Sequence, residues 1–127
     1  MDLKAYFENT RGIGVMSTAN SDGWVDSAIY SRPHVMDDGL LAFIMRDRLT
    51  HSNLQSNPHA AYLFVEQGAG YQGKRLILTR VREEHDTELL KSLQRRRAAN
   101  DPEKEQESRF LVFFRIDKEL PLIGAGE

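Results

Sequence analysis

Basic and hydroxyl-bearing side chains follow directly after an apolar stretch in the middle of the chain. That stretch, Leu40 to Met45, runs into Arg46 and Arg48, and Thr50 and His51 come next, where a short helix is predicted to begin. Guanidinium groups, hydroxyls and the unpaired amides of a helix start all donate hydrogen bonds to phosphate oxygens. The segment therefore predicts a phosphate-binding site, although the same residue types also serve as solvated loop residues and helix caps.

A second segment offers a mixed polar and apolar surface. Between Trp24 and Pro33 the sequence predicts a strand whose alternate side chains fall on two faces. One face carries Val25, Ser27, Ile29 and Ser31, and the other carries Trp24, Asp26, Ala28, Tyr30 and Arg32. Serines and a tyrosine among aliphatic side chains suit a surface that receives a partly polar ligand, and an ordinary half-exposed strand has the same composition.

The elements that must position these residues are short strands and few helices. Apolar periodicity and turn residues predict, in chain order, a helix near Leu3 to Phe7, strands at Gly12 to Ala19, Trp24 to Pro33 and Leu40 to Met45, a short helix ending around Asn57-Pro58, strands at Ala60 to Val65 and Lys74 to Arg82, a helix from an Asp86 cap to about Ala99, and a strand at Phe110 to Ile116. In the first strand Ile13 and Val15 share one face. Hairpin turns between short strands favour an antiparallel barrel, because closure protects the strand edges. We expect a mainly β fold, a six-stranded barrel with flanking short helices.

The composition limits the functional classes. With 127 residues, 40% of them hydrophobic and 28% charged, the chain has the size and balance of one globular domain. It has no cysteine, and its four histidines lack the paired spacing of a metal site, so we expect neither a disulfide nor a metal. A net charge of -2 argues against general binding of nucleic acid. The lack of a signal peptide and of a long apolar run predicts a cytoplasmic protein without a membrane partner.

The order of residues from Leu41 to Met45 and then from Arg48 to Leu63 is recognisable. Together with the strand Gly14 to Thr18, the Asp22-Gly23 turn and the return strand Val25 to Ser31, it resembles the pyridoxamine 5'-phosphate oxidase-like family. The resemblance implies that residues 1–127 form a single split-barrel domain that binds FMN. It also implies a homodimer with the flavin held between two subunits.

In that family the loop and helix after the buried strand typically hold the FMN phosphate, and the flavin ring lies along the second and third strands near the other subunit. Carried onto this chain, the resemblance implies the phosphate-side residues Arg46, Arg48, Thr50, His51 and Asn53 and the ring-side residues Ser27, Ala28, Ile29 and Tyr30. Thr50 stands where the family often has a lysine, so Arg46 or Arg48 would supply the cation. No catalytic residue is implied.

Three functional hypotheses follow. The first is a small FMN-dependent oxidoreductase in which the flavin carries electrons or hydride, with a reduced nicotinamide or another small electron donor or acceptor as partner. The second, motivated by Thr50, is a non-catalytic module of the same fold that stores or senses a flavin or another cofactor, such as haem or a deazaflavin. The third is a small barrel that binds nucleic acid or protein, which the acidic balance disfavours.

Overall fold

The computed structural model describes residues 2–85, 87–97 and 109–124. Its elements in chain order are α1 (Leu3–Asn9), β1 (Gly12–Ala19), β2 (Val25–Tyr30), β3 (His34–Val35), β4 (Leu41–Arg46), α2 (Leu49–Ser56), β5 (His59–Glu66), β6 (Gly73–His85), α3 (Glu88–Arg97) and β7 (Arg109–Pro121).

These strands form one antiparallel sheet in the order β2-β1-β5-β6-β7-β4-β3. The sheet curls, so that β2 from one end and β4 from near the other line one cavity. The predicted mainly β, antiparallel split barrel is confirmed. The described residues form seven strands rather than the six predicted, because His34 and Val35 pair with Ala42 and Leu41 across the turn at residues 37–39.

Apolar side chains fill both sides of part of the sheet. The inner cluster joins α1, α2 and five strands, and it contains Phe7, Met16, Leu41, Phe43, Met45, Leu54, Ala60, Tyr62, Phe64, Leu76, Leu78, Val112 and Phe114. A smaller cluster packs Leu90 and Leu93 of α3 against Ala42, Leu111 and Phe113. Since β4 and β7 contribute to both clusters, they are buried on both faces, which explains their nearly continuous apolar sequences.

The bounds of β1 are those predicted, but its apolar side chains Ile13 and Val15 lie on the outer face. Ile13 is 60% exposed, whereas Gly14 and Met16 face the interior. A Cβ atom on Gly14 would overlap the ring and hydroxyl of Tyr62. The inner face of β1 is therefore hard to recognise in the sequence, because a glycine stands at position 14 and the ring of Tyr62 fills the space that a side chain there would occupy.

Two strands are longer than predicted. β6 continues to His85, and β7 runs from Arg109 to Pro121, with register shifts in their pairing at Ile77/Leu78 and Arg80/Arg82. Polar residues 117–119 ended the predicted strand at Ile116. They stay in the sheet because Glu119 pairs with Leu76 in register and its carboxylate accepts a hydrogen bond from Lys74 Nζ at 2.8 Å. Leu120 and Pro121, which show no pattern in the sequence, belong to the same strand.

The terminal helices are fixed by side-chain hydrogen bonds at their starts. Asp2 caps α1 by accepting from the amides of Lys4 and Ala5 at 3.0 and 3.3 Å. The Thr87 hydroxyl accepts from the Leu90 amide at 3.3 Å at the start of α3. The predicted cap at Asp86 and the predicted end near Ala99 lie outside the described residues. No helix in the described part of the chain combines the length and apolar character needed to cross a bilayer.

Candidate functional site

A cavity of about 570 Å³ lies where β2 faces β4 and the start of α2. This volume is within the range of small-molecule sites, roughly 300–1,000 Å³. Six of the residues predicted to bind a cofactor line it: Ala28, Ile29, Tyr30, Arg46, Arg48 and Thr50. The fold thus brings together the two segments for which the family resemblance implied ring-side and phosphate-side roles.

The β2 wall of the cavity is set by pairing with β1. Along β2, Asp26, Ala28 and Tyr30 are half-buried while the intervening residues are exposed. Ala28 pairs in register with Met16, which is buried in the core, so the half-buried side chains of β2 face inward. This alternation turns a carboxylate, a methyl group and a phenol toward the cavity.

Tyr62 ties the end of β2 to the core. Its hydroxyl donates to the carbonyl oxygens of Tyr30 and Ser31 at 3.3 and 3.1 Å, and its ring is fully buried. The ring reaches this position because Gly14 leaves it room. The cavity wall at Tyr30 therefore depends on a contact between β1 and β5 beneath it.

The basic end of the cavity is formed where β4 passes into α2. Arg46 is the last residue of β4, and Arg48 occupies the N-cap position of α2 without a side-chain cap hydrogen bond. Thr50, in the first turn of the helix, is buried, and its hydroxyl donates to Asp26 Oδ2 at 3.4 Å. Two guanidinium groups and a hydroxyl are thereby placed at one end of the cavity, next to a carboxylate.

The pKa of Tyr30 is shifted by all of these groups. Burial raises the pKa of its phenol, a hydrogen bond with Thr50 lowers it, the Asp26 carboxylate raises it, and the positive charges of Arg46 and Arg48 lower it, with a net upward shift. The phenol therefore stays protonated around neutral pH and can act as a hydrogen-bond donor. Its ring lies edge-on to Phe43, with centroids 6.4 Å apart, which gives the cavity an aromatic wall.

Several cavity residues were not predicted. Asp26 lies on the inward face of β2, together with Ala28 and Tyr30. The two-residue alternation of the predicted strand already placed it on the same face as those two residues, and this pattern could have identified it. Arg109 is only 5% exposed and is the register partner of Arg46 across the β4–β7 pairing, a relation that only the fold reveals. Arg32 and His34 also line the cavity, and Arg32 Nη1 donates to the carbonyls of Phe7 and Thr10 at 2.8 and 2.9 Å.

His51 is turned away from this cavity toward β6 and β7. Its Nε2 is 3.0 Å from Glu83 Oε2, and its ring stacks on Phe110 with centroids 3.8 Å apart. Burial raises the pKa of Glu83, but hydrogen bonds from His51 and Gln55 and the nearby positive charges outweigh it and bring this pKa below its usual value. In the described structure His51 anchors α2 to the sheet.

Asn53 anchors the opposite side of the same helix. It is buried, and its Nδ2 donates to the Thr18 hydroxyl of β1 at 3.1 Å. His51 thus holds α2 against β6 and β7 and Asn53 holds it against β1, which fixes where Thr50 and Arg48 lie. Neither lines the cavity as the predicted phosphate-side residues Arg46, Arg48 and Thr50 do.

Ser27 lies on the outer face of β2. Its hydroxyl is 2.9 Å from that of Ser17 on β1, and it does not line the cavity. Around this pair the outer face is apolar: Ile13, Val25 and Ile29 are 60%, 81% and 71% exposed. Ile29 is also at the rim of the cavity, so the apolar face and the cavity adjoin.

Other candidate sites are weaker. A second cavity, of about 670 Å³, lies between α1, β3 and α3, and its charged residues include the exposed Lys4, Glu8 and Asp37, of both signs. It does not concentrate hydrogen-bond donors as the first cavity does. Among residues 2–85, 87–97 and 109–124, no three acidic or histidine side chains are grouped so that they could hold a metal ion.

Comparison by sequence alone finds no counterpart, since neither a family model nor a curated protein matches the chain. Comparison of structures does. An FMN-binding protein from Syntrophomonas wolfei subsp. wolfei is 19% identical, with a TM-score of 0.74 over 95% of this chain and 84% of that one. HupZ from Group A Streptococcus is 13% identical, with a TM-score of 0.72 over 95% and 91% of the two chains. An F420 reductase is 16% identical, with a TM-score of 0.68 over 94% and 97%.

These similarities define a class of fold. The chain has the split-barrel fold of these neighbours, and this is the fold that the resemblance in its sequence implied. At such low identity the likeness shows the fold alone, and the site must be interpreted from the residues of this chain.

Proposed function

We propose that this protein is a flavoprotein that binds FMN in the cavity between β2, β4 and α2. One observation carries the proposal: the cavity joins a half-apolar strand wall, Ala28 to Tyr30, to a basic helix entry with Arg46, Arg48 and Thr50. A flavin mononucleotide has the same two parts, a flat ring system and a terminal phosphate. The similarity in fold to an FMN-binding protein and to an F420 reductase supports a flavin as the ligand.

The residues present fit the phosphate end of FMN. Arg46 and Arg48 offer guanidinium donors, and the hydroxyl of Thr50 offers a further donor at the start of a helix, where backbone amides and the helix dipole favour an anion. Arg46 or Arg48 takes the place of the lysine that the resembled family often has. Bound FMN would supply electron or hydride transfer, while the protein binds and orients it.

Tyr30 and Phe43 define the ring end. Their side chains form an aromatic and partly polar wall, and the protonated phenol of Tyr30 can donate a hydrogen bond. The electron donor or acceptor in this proposal is a small molecule, with a reduced nicotinamide as the first to test. No side chain is assigned a catalytic step.

We further propose that two copies of the chain pair through the outer face of β1 and β2. Isolated apolar side chains are common on protein surfaces, but Ile13, Val25 and Ile29 lie on the same outer face of these two strands and are 60%, 81% and 71% exposed, which gives an apolar patch around the Ser17–Ser27 pair. This patch adjoins the cavity at Ile29, so a second copy seated on it would help to enclose the flavin. A homodimer is therefore part of the proposed site.

The deciding experiment is the absorbance spectrum of the purified protein, followed by chromatography of whatever heat releases. We expect flavin bands and about one FMN per chain, since only one cavity of this type is formed within the described residues. In reconstitution of the ligand-free protein, Arg48→Gln should weaken FMN binding by roughly 10- to 100-fold, the value of one charge-assisted hydrogen bond. The exposed Arg11→Gln is the matched control. A colourless protein that FMN cannot reconstitute refutes the proposal.

A second candidate function is a non-catalytic module that stores or senses a flavin, a deazaflavin or haem. The observation that favours it is Thr50 in the usual place of a lysine, with the Asp26 carboxylate beside it. Tight FMN binding without oxidation of any nicotinamide or other reductant would support this candidate, and retained haem would replace FMN in the argument.

A further inference from the structure

The cavity contains one acidic side chain that an anion site does not require. Asp26 is half-buried on the inward face of β2 and lines the cavity together with Arg46, Arg48 and Thr50. Its position beside the basic end raises the question of what a fixed negative charge does there.

The geometry limits how far this charge can be from a bound anion. Asp26 Oδ2 is 3.4 Å from the Thr50 hydroxyl oxygen. An anion that accepts a hydrogen bond from the same hydroxyl lies about 2.7 Å from it. The anion oxygen is then at most about 6 Å from the Asp26 oxygen, whatever the direction of approach.

Asp26 also competes for the Thr50 proton. A threonine hydroxyl donates only one hydrogen bond. In the described structure the Thr50 hydroxyl is 3.4 Å from Asp26 Oδ2, to which it donates, and it also interacts with the phenol of Tyr30. A phosphate that uses Thr50 as a donor must therefore take this proton away from the carboxylate. Charge repulsion and loss of the hydrogen bond act in the same direction, against a phosphate.

From this arrangement we propose that Asp26 is a specificity-determining residue that reduces the preference of the cavity for a phosphorylated ligand over the same ligand without phosphate. The inference rests on the proposed function and adds a selectivity to it. The positive charges of Arg46 and Arg48 attract the phosphate, and Asp26 sets how strongly. A flavin without its phosphate is indifferent to this charge.

The expected size of the effect follows from Coulomb's law. Two unit charges about 6 Å apart repel by an amount that corresponds to roughly threefold in affinity in water and roughly 100-fold in the setting of a protein surface. A half-open cavity lies between these limits. Removing the charge of Asp26 should therefore tighten phosphate binding by about tenfold and by no less than about threefold.

The test compares Asp26→Asn with the wild-type protein, using FMN, riboflavin and inorganic pyrophosphate as probes. Asparagine keeps the shape of the side chain and one oxygen that accepts from Thr50, so the substitution removes the negative charge and replaces only the second carboxylate oxygen with an amide group. Asp22→Asn, in the exposed turn before β2, changes the net charge equally and is the control. Calorimetry or fluorescence gives the flavin affinities, and chemical shifts of the Thr50 amide report pyrophosphate. Circular dichroism checks that each variant is folded.

We expect Asp26→Asn to bind FMN and pyrophosphate more tightly while riboflavin affinity changes by less than about twofold, and Asp22→Asn to behave as wild type. Equal changes for FMN and riboflavin, or weaker FMN binding, would overturn the inference, since Asp26 would then accept a hydrogen bond from the shared part of the ligand. If no variant binds FMN but Asp26→Asn binds pyrophosphate more tightly, the proposed function fails and the selectivity of the anion site stands. If no probe binds either protein, both fail.

Discussion

Gly14→Ala tests whether the cavity depends on the packing beneath it. A methyl group at this position would overlap the ring and hydroxyl of Tyr62, which is fully buried and stacked among Phe43 and Phe64. The ring has no free space to enter, and inserting a methyl into a packed core costs roughly 1–3 kcal/mol. Displacing the Tyr62 hydroxyl from the carbonyls of Tyr30 and Ser31 adds about 1 kcal/mol. The expected loss is about 2–4 kcal/mol.

Urea unfolding followed by far-ultraviolet circular dichroism measures this loss, at one fixed protein concentration because a dimer would make stability concentration-dependent. Tyr62→Phe is the reference, since it removes the hydroxyl without the overlap and should cost about 1 kcal/mol. In the double variant the missing hydroxyl relieves part of the overlap, so the loss of stability should be smaller than the sum of the losses in the two single variants. The reasoning is refuted if Gly14→Ala costs no more than Tyr62→Phe, or if the two costs are simply additive. Gly14→Ala should also weaken FMN binding, because Tyr30 loses its support.

Three further predictions concern the surface, the helix anchor and an ion pair with one buried partner. Val25→Arg should convert a dimer to a monomer in light scattering, because it places a charge in the apolar patch. Ile123, which is also apolar and 62% exposed, is the control, and Ile123→Arg should leave the dimer intact. Glu83→Gln should lower the free energy of unfolding at neutral pH, because the lowered pKa of Glu83 stabilises the folded state while the carboxylate is charged. This loss should shrink as the pH falls below about 4.5, the usual pKa of this carboxyl. The exposed Glu8→Gln is the control, and a loss that does not change with pH would contradict the prediction. Glu119→Gln should lower the urea midpoint more than Lys74→Met does. The first substitution leaves a buried ammonium group without its charged partner at 2.8 Å, whereas Glu119 is 41% exposed and can be hydrated when Lys74 is lost. The reverse order would show that burial of the Lys74 charge does not determine the effect on stability.

Local sequence was sufficient for most of the elements. β1 was predicted with its observed bounds because the turn residues 20–23 mark its end, and α2 ends where Asn57-Pro58 predicted. The continuation of β7 beyond Ile116 could not be predicted, because residues 117–119 are polar and their partners on β6 are distant in the sequence. The bounds of β7 therefore depend on its pairing with β6 and not on a local alternation of apolar residues.

In the candidate site, too, local sequence predicted some positions, while others depend on contacts between distant residues. Arg46, Arg48 and Thr50 lie close together in the sequence after a buried strand, and all three line the same cavity. His51 and Asn53 have the same polar character, but Glu83 and Thr18 hold them elsewhere, and no pattern in the sequence names those partners. Which residues contact a cofactor stays a prediction, and the variants above test it.

The place of β2 in the sheet has a consequence for solubility. Within the described residues β2 pairs with β1 alone, so it is an edge strand with an unpaired row of backbone groups. Such an edge can recruit strands from other molecules and start aggregation. An inward-pointing charge within the edge strand and a proline soon after it are features that oppose this, and Asp26 and Pro33 supply both. We therefore expect the carboxylate beside the proposed anion site to oppose aggregation as well, so that Asp26→Asn brings tighter phosphate binding together with faster precipitation on storage.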